Sequence, residues 1–315
     1  LSTVHCPLST VHCPLSTVHC PPMLDPATRA EVRNARLMLL AAALLWSLSG
    51  VIMKSPPMER MPLELRGPVS ACWRAVFAVA VLLPFIRREH VRFRPTLVPM
   101  ALGFAAMNFL FLTAMTRTTA AAAIFLQSTS TFWALVFGAV FLKERIEPRN
   151  LLAVGCALLG IGWIVSNEWG GGHSLGNLIA LCSGVSYAVV VLSLRALREE
   201  GSAWLIAVAL AVSALVLAPF ALARTAMLDG TQWALLAVLG SLQMAAPYIL
   251  FARGLRAVSA QEAALITLIE PVLNPLLVWL VWHEPASPAT LIGGGLILFG
   301  LALRYAAAFR GRRTA

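Results

Sequence analysis

Charge is what this sequence has least of. Only 12% of its 315 residues are Asp, Glu, Lys or Arg, while 59% are hydrophobic, against roughly 25% charged in an ordinary soluble domain. Mean hydropathy is +0.80. A single water-soluble core of this length has too little polar surface to cover so much apolar area. The same apolar excess excludes a disordered chain. Lysine occurs only at Lys54 and Lys143. The body of the chain has no phosphate-binding P-loop, no zinc-spaced histidine cluster and no nucleophile elbow. No ATP-driven pump is expected from this chain alone, and neither catalytic residues, a metal nor a cofactor. The formal charge of +10 does not point to nucleic acid. The basic residues fall in short clusters between apolar runs, which is the pattern of membrane topology.

Cysteine is scarce outside one segment. Three of the six cysteines lie in a perfect Leu-Ser-Thr-Val-His-Cys-Pro repeat that runs three times up to Pro21. Adjacent His-Cys pairs do not converge easily on one ion, and no basic region precedes an apolar core as in a signal peptide. Residues 1–22 are therefore expected to be a spurious or disordered tail, a translated nucleotide repeat ahead of Met23. Cys72, Cys156 and Cys182 sit in apolar runs and are expected as small core residues.

What is present is a series of runs near the 20 apolar residues that a spanning helix needs. Ten are found, at about 36–54, 69–86, 96–115, 118–142, 150–167, 175–194, 203–223, 231–251, 258–282 and 288–308. The predicted fold is an all-α integral membrane protein of ten transmembrane helices. With the N-terminus in the cytoplasm, 18 basic residues fall in inside segments and 5 outside, with Arg74 within a span. This bias places both termini, including a basic tail at 309–315, in the cytoplasm.

The two halves match at an offset of 140: Phe111 with Phe251, Ala120 with Ala260, Glu144 with Glu284, Pro148 with Pro288, Gly155 with Gly295 and Gly160 with Gly300. At 141, Trp46 meets Tyr187 and Lys54 meets Arg195. The repeats are predicted at 36–167 (spans 1–5) and 175–308 (spans 6–10). Five spans per copy is odd, so the second copy should enter the membrane inverted, the arrangement of alternating-access carriers.

The segments Leu45-Trp46-Ser47, Trp73-Arg74, Thr118-Thr119-Ala120-Ala121, Leu142-Lys143-Glu144-Arg145, Ser186-Tyr187-Ala188, Ala257-Val258-Ser259-Ala260, Glu270-Pro271-Val272 and His283-Glu284 resemble the drug/metabolite transporter superfamily, specifically EamA-type carriers with two five-helix repeats. The resemblance implies a secondary carrier of small metabolites, often an exporter of amino acids or similar polar compounds, in a bacterial inner membrane. Two departures stand out: Ser130-Thr131 replaces a usual proline in span 4, and Pro285 replaces a usual basic residue after Glu284.

Charges inside a bilayer cost about 2.5–3.5 kcal/mol each at its centre, so Arg74 and Glu270 need explaining. Arg74 lies 13 residues before Arg87 and Glu270 lies 14 after Arg256, about 20 and 21 Å at 1.5 Å per residue. At this shared depth two readings stand. One is a buried ion pair that fixes packing; the other is a coupling carboxylate and an anion-binding arginine. Pro271 and Pro275 predict a kink or break in span 9. At the matching depth of span 4, Gln127 and Ser130 are the strongest polar candidates. Asn108 and Tyr248, aligned between spans 3 and 8, either line a cavity or bridge helices. Gln243, Asn274, Trp46 and Tyr187 complete the candidates. Glu262 is expected to pair with Arg256 or to snorkel. Glycine-rich spans 5 and 10 are read as a packing surface or homodimer face.

The expected partners are a small-molecule substrate, the lipid bilayer and a coupling proton or exchanged substrate. The rival readings are an importer or exchanger of anionic metabolites such as sugar phosphates, a passive channel and a membrane-embedded enzyme.

Overall fold

The computed structural model describes residues 29–86, 91–142, 148–168, 172–197, 200–258 and 260–311. The tail at 1–22, the segments around Arg87-Arg88 and Lys143-Glu144-Arg145, Trp169 and residues 312–315 lie outside these. Every regular element among the described residues is helical. The helices are α1 (Arg29–Trp46), α2 (Leu48–Met53), α3 (Pro56–Glu59), α4 (Leu63–Leu82), α5 (Leu97–Arg117), α6 (Ala120–Ser128), α7 (Ser130–Leu142) and α8 (Pro148–Glu168). They continue with α9 (Ser174–Ala196), α10 (Ser202–Leu222), α11 (Gly230–Gly240), α12 (Ala246–Gly254), α13 (Ala260–Thr267), α14 (Glu270–Trp282) and α15 (Pro288–Gly311).

Seven helical runs among the described residues are long and apolar enough to cross a membrane: Arg29–Met53, Leu63–Phe85, Leu97–Arg117, Ala120–Val140, Ser174–Leu194, Ser202–Leu222 and Gly230–Gly254. Three shorter apolar helices cover Val154–Asn167, Glu270–Trp282 and Pro288–Leu303. Large apolar side chains stand exposed along these elements, among them Leu159 (67%), Leu215 (73%) and Phe220 (64%). A soluble surface does not tolerate contiguous patches of this kind, whereas a hydrocarbon solvent does.

Three of these runs are interrupted, at α1–α2, α6–α7 and α11–α12, and a fourth interruption separates α13 from α14. Between α1 and α2, the Ser47 hydroxyl donates back to the Ala43 carbonyl at 2.8 Å. Between α6 and α7, the Thr129 hydroxyl donates to the Leu126 carbonyl at 2.6 Å and that of Ser128 to the Ile124 carbonyl at 2.7 Å. Such back-bonding competes with the backbone ladder and bends helices. Span 4 thus breaks without a proline. The interruption between α13 and α14 falls at Leu268–Ile269, directly before Glu270-Pro271, where the proline pair predicted it. Between α11 and α12, residues Ser241–Ala245 form a π-helical segment that the sequence pattern did not announce.

The helices interlock. α4 packs on α10 and α11, α5 on α9 and α10, α1 on α12 and α13, α2 on α14, and α8 on α15. The last pair closes at glycine: a Cβ at Gly160 would meet the Gly293 carbonyl, and one at Gly293 would meet the Gly160 carbonyl and Ile164. Gly155, Gly162 and Gly295 face open space. Part of the glycine set therefore packs the two helices inside the molecule. Cys72 is buried as expected, whereas Cys156 is half-buried and Cys182 exposed.

Candidate functional site

The site is built from Arg74 outward. Arg74 sits mid-way along α4 and is 2% exposed. Its Nε donates to Asn108 Oδ1 at 3.1 Å, and Nη2 donates to the same oxygen. Nη1 donates to Gln243 Oε1 at 3.2 Å. Each amide is fixed in turn. Asn108 Nδ2, on α5, donates to the Ala71 carbonyl (3.0 Å) and to Ser213 Oγ on α10 (2.8 Å). Gln243 Nε2, in the π-helical segment, donates to the Trp46 carbonyl at 3.3 Å, beside the α1–α2 break. Close approach makes this possible. A Cβ at Gly240 would meet the Arg74 carbonyl at 2.6 Å, so only glycine lets α11 lie this close to α4. The guanidinium is therefore held by neutral dipoles from two helical elements, α5 and the π-helical segment.

Glu270 is not its partner. The direct Arg74–Glu270 pair considered from depth alone is not formed. Equal depth on two helices says nothing about whether their side chains turn toward each other, and Arg74 turns toward α5 and the π-helical segment. Glu270 opens α14 and is half-buried. Its carboxylate makes no hydrogen bond or ion pair with the described residues. Its position in the first turn is favoured by the helix dipole. The Tyr248 hydroxyl lies within electrostatic reach of Arg74, Glu270 and Tyr187. Trp46 stacks edge-on to Tyr248, ring centroids 5.3 Å apart, and tilts against Phe251 at 5.6 Å. Trp46, Arg74, Asn108, Tyr187, Gln243, Tyr248 and Glu270 thus form one neighbourhood at the level of the helix breaks.

The other candidates fall elsewhere. Asn274 is fully buried; its Nδ2 donates to Ser49 Oγ at 2.9 Å, and its Oδ1 lies against Gly50. It packs α14 on α2. Gln127 is half-buried and Ser130 buried, on either side of Thr129. Pro271 is the second residue of α14 and Pro275 lies inside it. Glu262 pairs with Arg36, Nε to Oε1 2.6 Å, rather than with Arg256, because α13 packs against α1. Sequence reasoning missed Ser213, whose signal is a lone polar residue in an apolar run, and the Lys54–Glu284 ion pair, whose signal is two opposite charges at predicted span ends.

Comparison with known proteins agrees with this architecture. The profile of the EamA-like transporter family matches the chain twice, over residues 34–166 and 174–306. The chain belongs to the EamA-like transporter family. An uncharacterized transporter of Archaeoglobus fulgidus is 29% identical over 237 residues, covering 74% of this chain and 84% of that protein. The uncharacterized transporter YwfM of Bacillus subtilis is 29% identical over 291 residues, covering 89% of this chain and 96% of its own length. A protein of known crystal structure shares the fold, with a TM-score of 0.58 and 21% identity over 88% of this chain and 98% of its own. This EamA-family chain is a multi-pass membrane protein, a transporter of small molecules.

Proposed function

We propose that this EamA-family transporter is a secondary carrier that exports a small polar metabolite, amino-acid-like in chemistry, across a bacterial inner membrane by alternating access. The reading takes the seven long and three shorter apolar helices as ten spans in two inverted repeats, with both termini cytoplasmic. Two observations support the inversion. The family profile matches the two halves separately. The interruptions at Thr129 and at Leu268–Ile269 stand at the same offset as the sequence repeat, so each half carries a span broken at equal depth. Broken spans lining a midplane cavity are how carriers expose polar backbone to a substrate.

The observation that carries the functional reading is Glu270. It is a carboxylate at a helix break, half-buried, with no hydrogen bond or ion pair to a described residue and within electrostatic reach of Tyr248. A charge is kept unpaired at such a cost only where something else comes to it. A proton, or the ammonium group of a substrate, fills that role. Driving force then comes from a coupled proton or an exchanged substrate. The anionic-metabolite reading is less well supported, because Nε, Nη1 and Nη2 of Arg74 each donate to an amide oxygen and the side chain is buried.

The test is untargeted metabolite profiling inside and outside cells expressing the chain, against cells expressing Glu270→Gln at equal membrane level. One compound class should accumulate outside only with the unaltered chain. Identical profiles for the two chains would sink the role of Glu270, and profiles identical also to those of cells lacking the chain would sink export.

A further inference from the structure

A second polar cluster lies at the opposite end of the molecule from α1's first turn and is unrelated to the Arg74 site. Lys54 caps α2. Its Nζ pairs with Glu284 Oε2 at 2.7 Å and donates to the Thr118 carbonyl at 2.8 Å. Glu284 Oε1 accepts from the Ala120 N–H at 2.8 Å, at the start of α6. The Thr118 hydroxyl donates to Asn177 Oδ1 at 2.6 Å, in the first turn of α9. A Cβ at Gly176 would meet the Arg117 carbonyl at 2.6 Å, so α9 is pressed against the α5–α6 junction. Just before Glu284, His283 ends α14 with φ 54°. It is the one described non-glycine residue with positive φ. Histidine enters this region more readily than most residues, at some conformational cost. That turn aims Glu284 back at Lys54.

Two features separate this cluster from an ordinary surface salt bridge. The Lys54 and Glu284 side chains are only 12% and 23% exposed, while the Arg36 side chain at the other end is 56% exposed. Exposed pairs contribute little and part freely, but this one is partly desolvated and reinforced by two backbone groups. It also joins the two family repeats: Lys54, Thr118 and Ala120 belong to the first, and Asn177 and Glu284 to the second. Rocking one half against the other cannot proceed at this end without breaking it.

We infer that Lys54 and Glu284 form the latch of the outer mouth, a pair that holds the carrier closed on that side and must open in every transport cycle. Both are positioning residues, remote from the substrate neighbourhood. Lys54 clamps α2 to α14's end; Glu284 seals the start of α6 and supplies the counter-charge that lowers the cost of keeping Lys54 out of water. The inference rests on the alternating-access reading above, but its test needs no substrate, so the two can fail separately.

Met115, fully buried one turn before Thr118, serves as reporter. Met115→Cys is placed in a cysteine-free version of the full chain and labelled in intact cells with a membrane-impermeant maleimide. Labelling should be slow with the latch intact. Glu284→Gln and Lys54→Met should speed it about tenfold, the scale on which loss of a charge-assisted bond shifts a two-state equilibrium. Glu284→Ala, which also frees the Ala120 N–H, should be faster still, and Lys54→Arg should stay close to the unaltered rate. Leu210→Cys, buried on α10 away from this mouth, is the control for general loosening. An unchanged Met115→Cys rate in folded variants overturns the inference. So does an equal acceleration at Leu210→Cys, which would make the pair a staple of the whole fold. Labelling that rises only in inverted vesicles would put this mouth on the other side and overturn the assignment as well.

Discussion

Arg74 and Glu270 are opposite in charge and expected from the sequence at one depth, yet the protein treats them in opposite ways. Arg74 is enclosed. Amide oxygens from α5 and the π-helical segment saturate one side of the guanidinium, and each amide is anchored again on α4, α10 or the end of α1. Glu270 is left alone at a helix break. The lesson is that a buried charge is not one kind of feature. A charge surrounded by fixed dipoles is a structural hub, since every neighbour is held by it and moving it disturbs three elements. A charge with no fixed partner is a vacancy in the interaction network, and vacancies are where transient partners bind.

The contrast can be broken by substitution, and the largest effect is expected at Asn108. Asn108→Leu removes the oxygen that accepts from both Nε and Nη2 and strands the guanidinium in an apolar interior. A loss of about 3 kcal/mol or more is expected, read as a collapse in Tm in detergent and in the amount reaching the membrane. If the variant is as stable as the parent, the amide cage is not what holds Arg74. Next comes Arg74→Lys, whose compact ammonium lacks the planar fork and cannot serve Asn108 and Gln243 together. About 2 kcal/mol of destabilisation is expected, checked by the same melting curves. Gln243→Leu, which loses one bond to Arg74 and one to the Trp46 carbonyl, should cost about 1 kcal/mol. The smallest effect on stability is expected at Glu270. Glu270→Gln should fall within about 0.5 kcal/mol of the parent while abolishing counterflow in proteoliposomes loaded with the compound that profiling identifies. A Tm loss at Glu270→Gln comparable with that of Asn108→Leu would erase the distinction between hub and vacancy.

How much of this was legible in the sequence depends on whether the signal runs along one helix or between helices. Apolar run length places the elements well: the run expected at 96–115 is α5, Leu97–Arg117, and that expected at 203–223 is α10, Ser202–Leu222. Pro271 announces the break before α14, because proline acts on its own backbone. The break at Thr129 was hidden, since a serine or threonine bends a helix only when its hydroxyl turns inward, and the rotamer is not written in the sequence. Partnering was least legible. Arg74 was singled out by its cost in the bilayer, but its choice of Asn108 and Gln243 over Glu270 depends on how α4, α5 and α11 are rotated about their axes. Asn274 shows the converse: a polar candidate that the packing turns toward Ser49 and Gly50 instead.

The π-helical segment at Ser241–Ala245 has a consequence for how this protein tolerates change in length. In a regular α-helix, two residues five positions apart are separated by about 140° around the axis. Gln243 and Tyr248 are five apart, yet one reaches Arg74 and the other packs on Trp46 in the same neighbourhood. A wider turn, whose hydrogen bonds close at the fifth residue, brings such positions toward one face. The segment therefore behaves as a one-residue slip in the helical screw. Deleting one residue between Gln243 and Tyr248 would restore a regular helix with these two four apart, about 40° around the axis, leaving Gly240 on α4 and Tyr248 on Trp46. A one-residue loss at this point is therefore the length change the helix absorbs most easily, whereas the same loss within regular α11 or α12 would rotate the helix by about 100° against its neighbours.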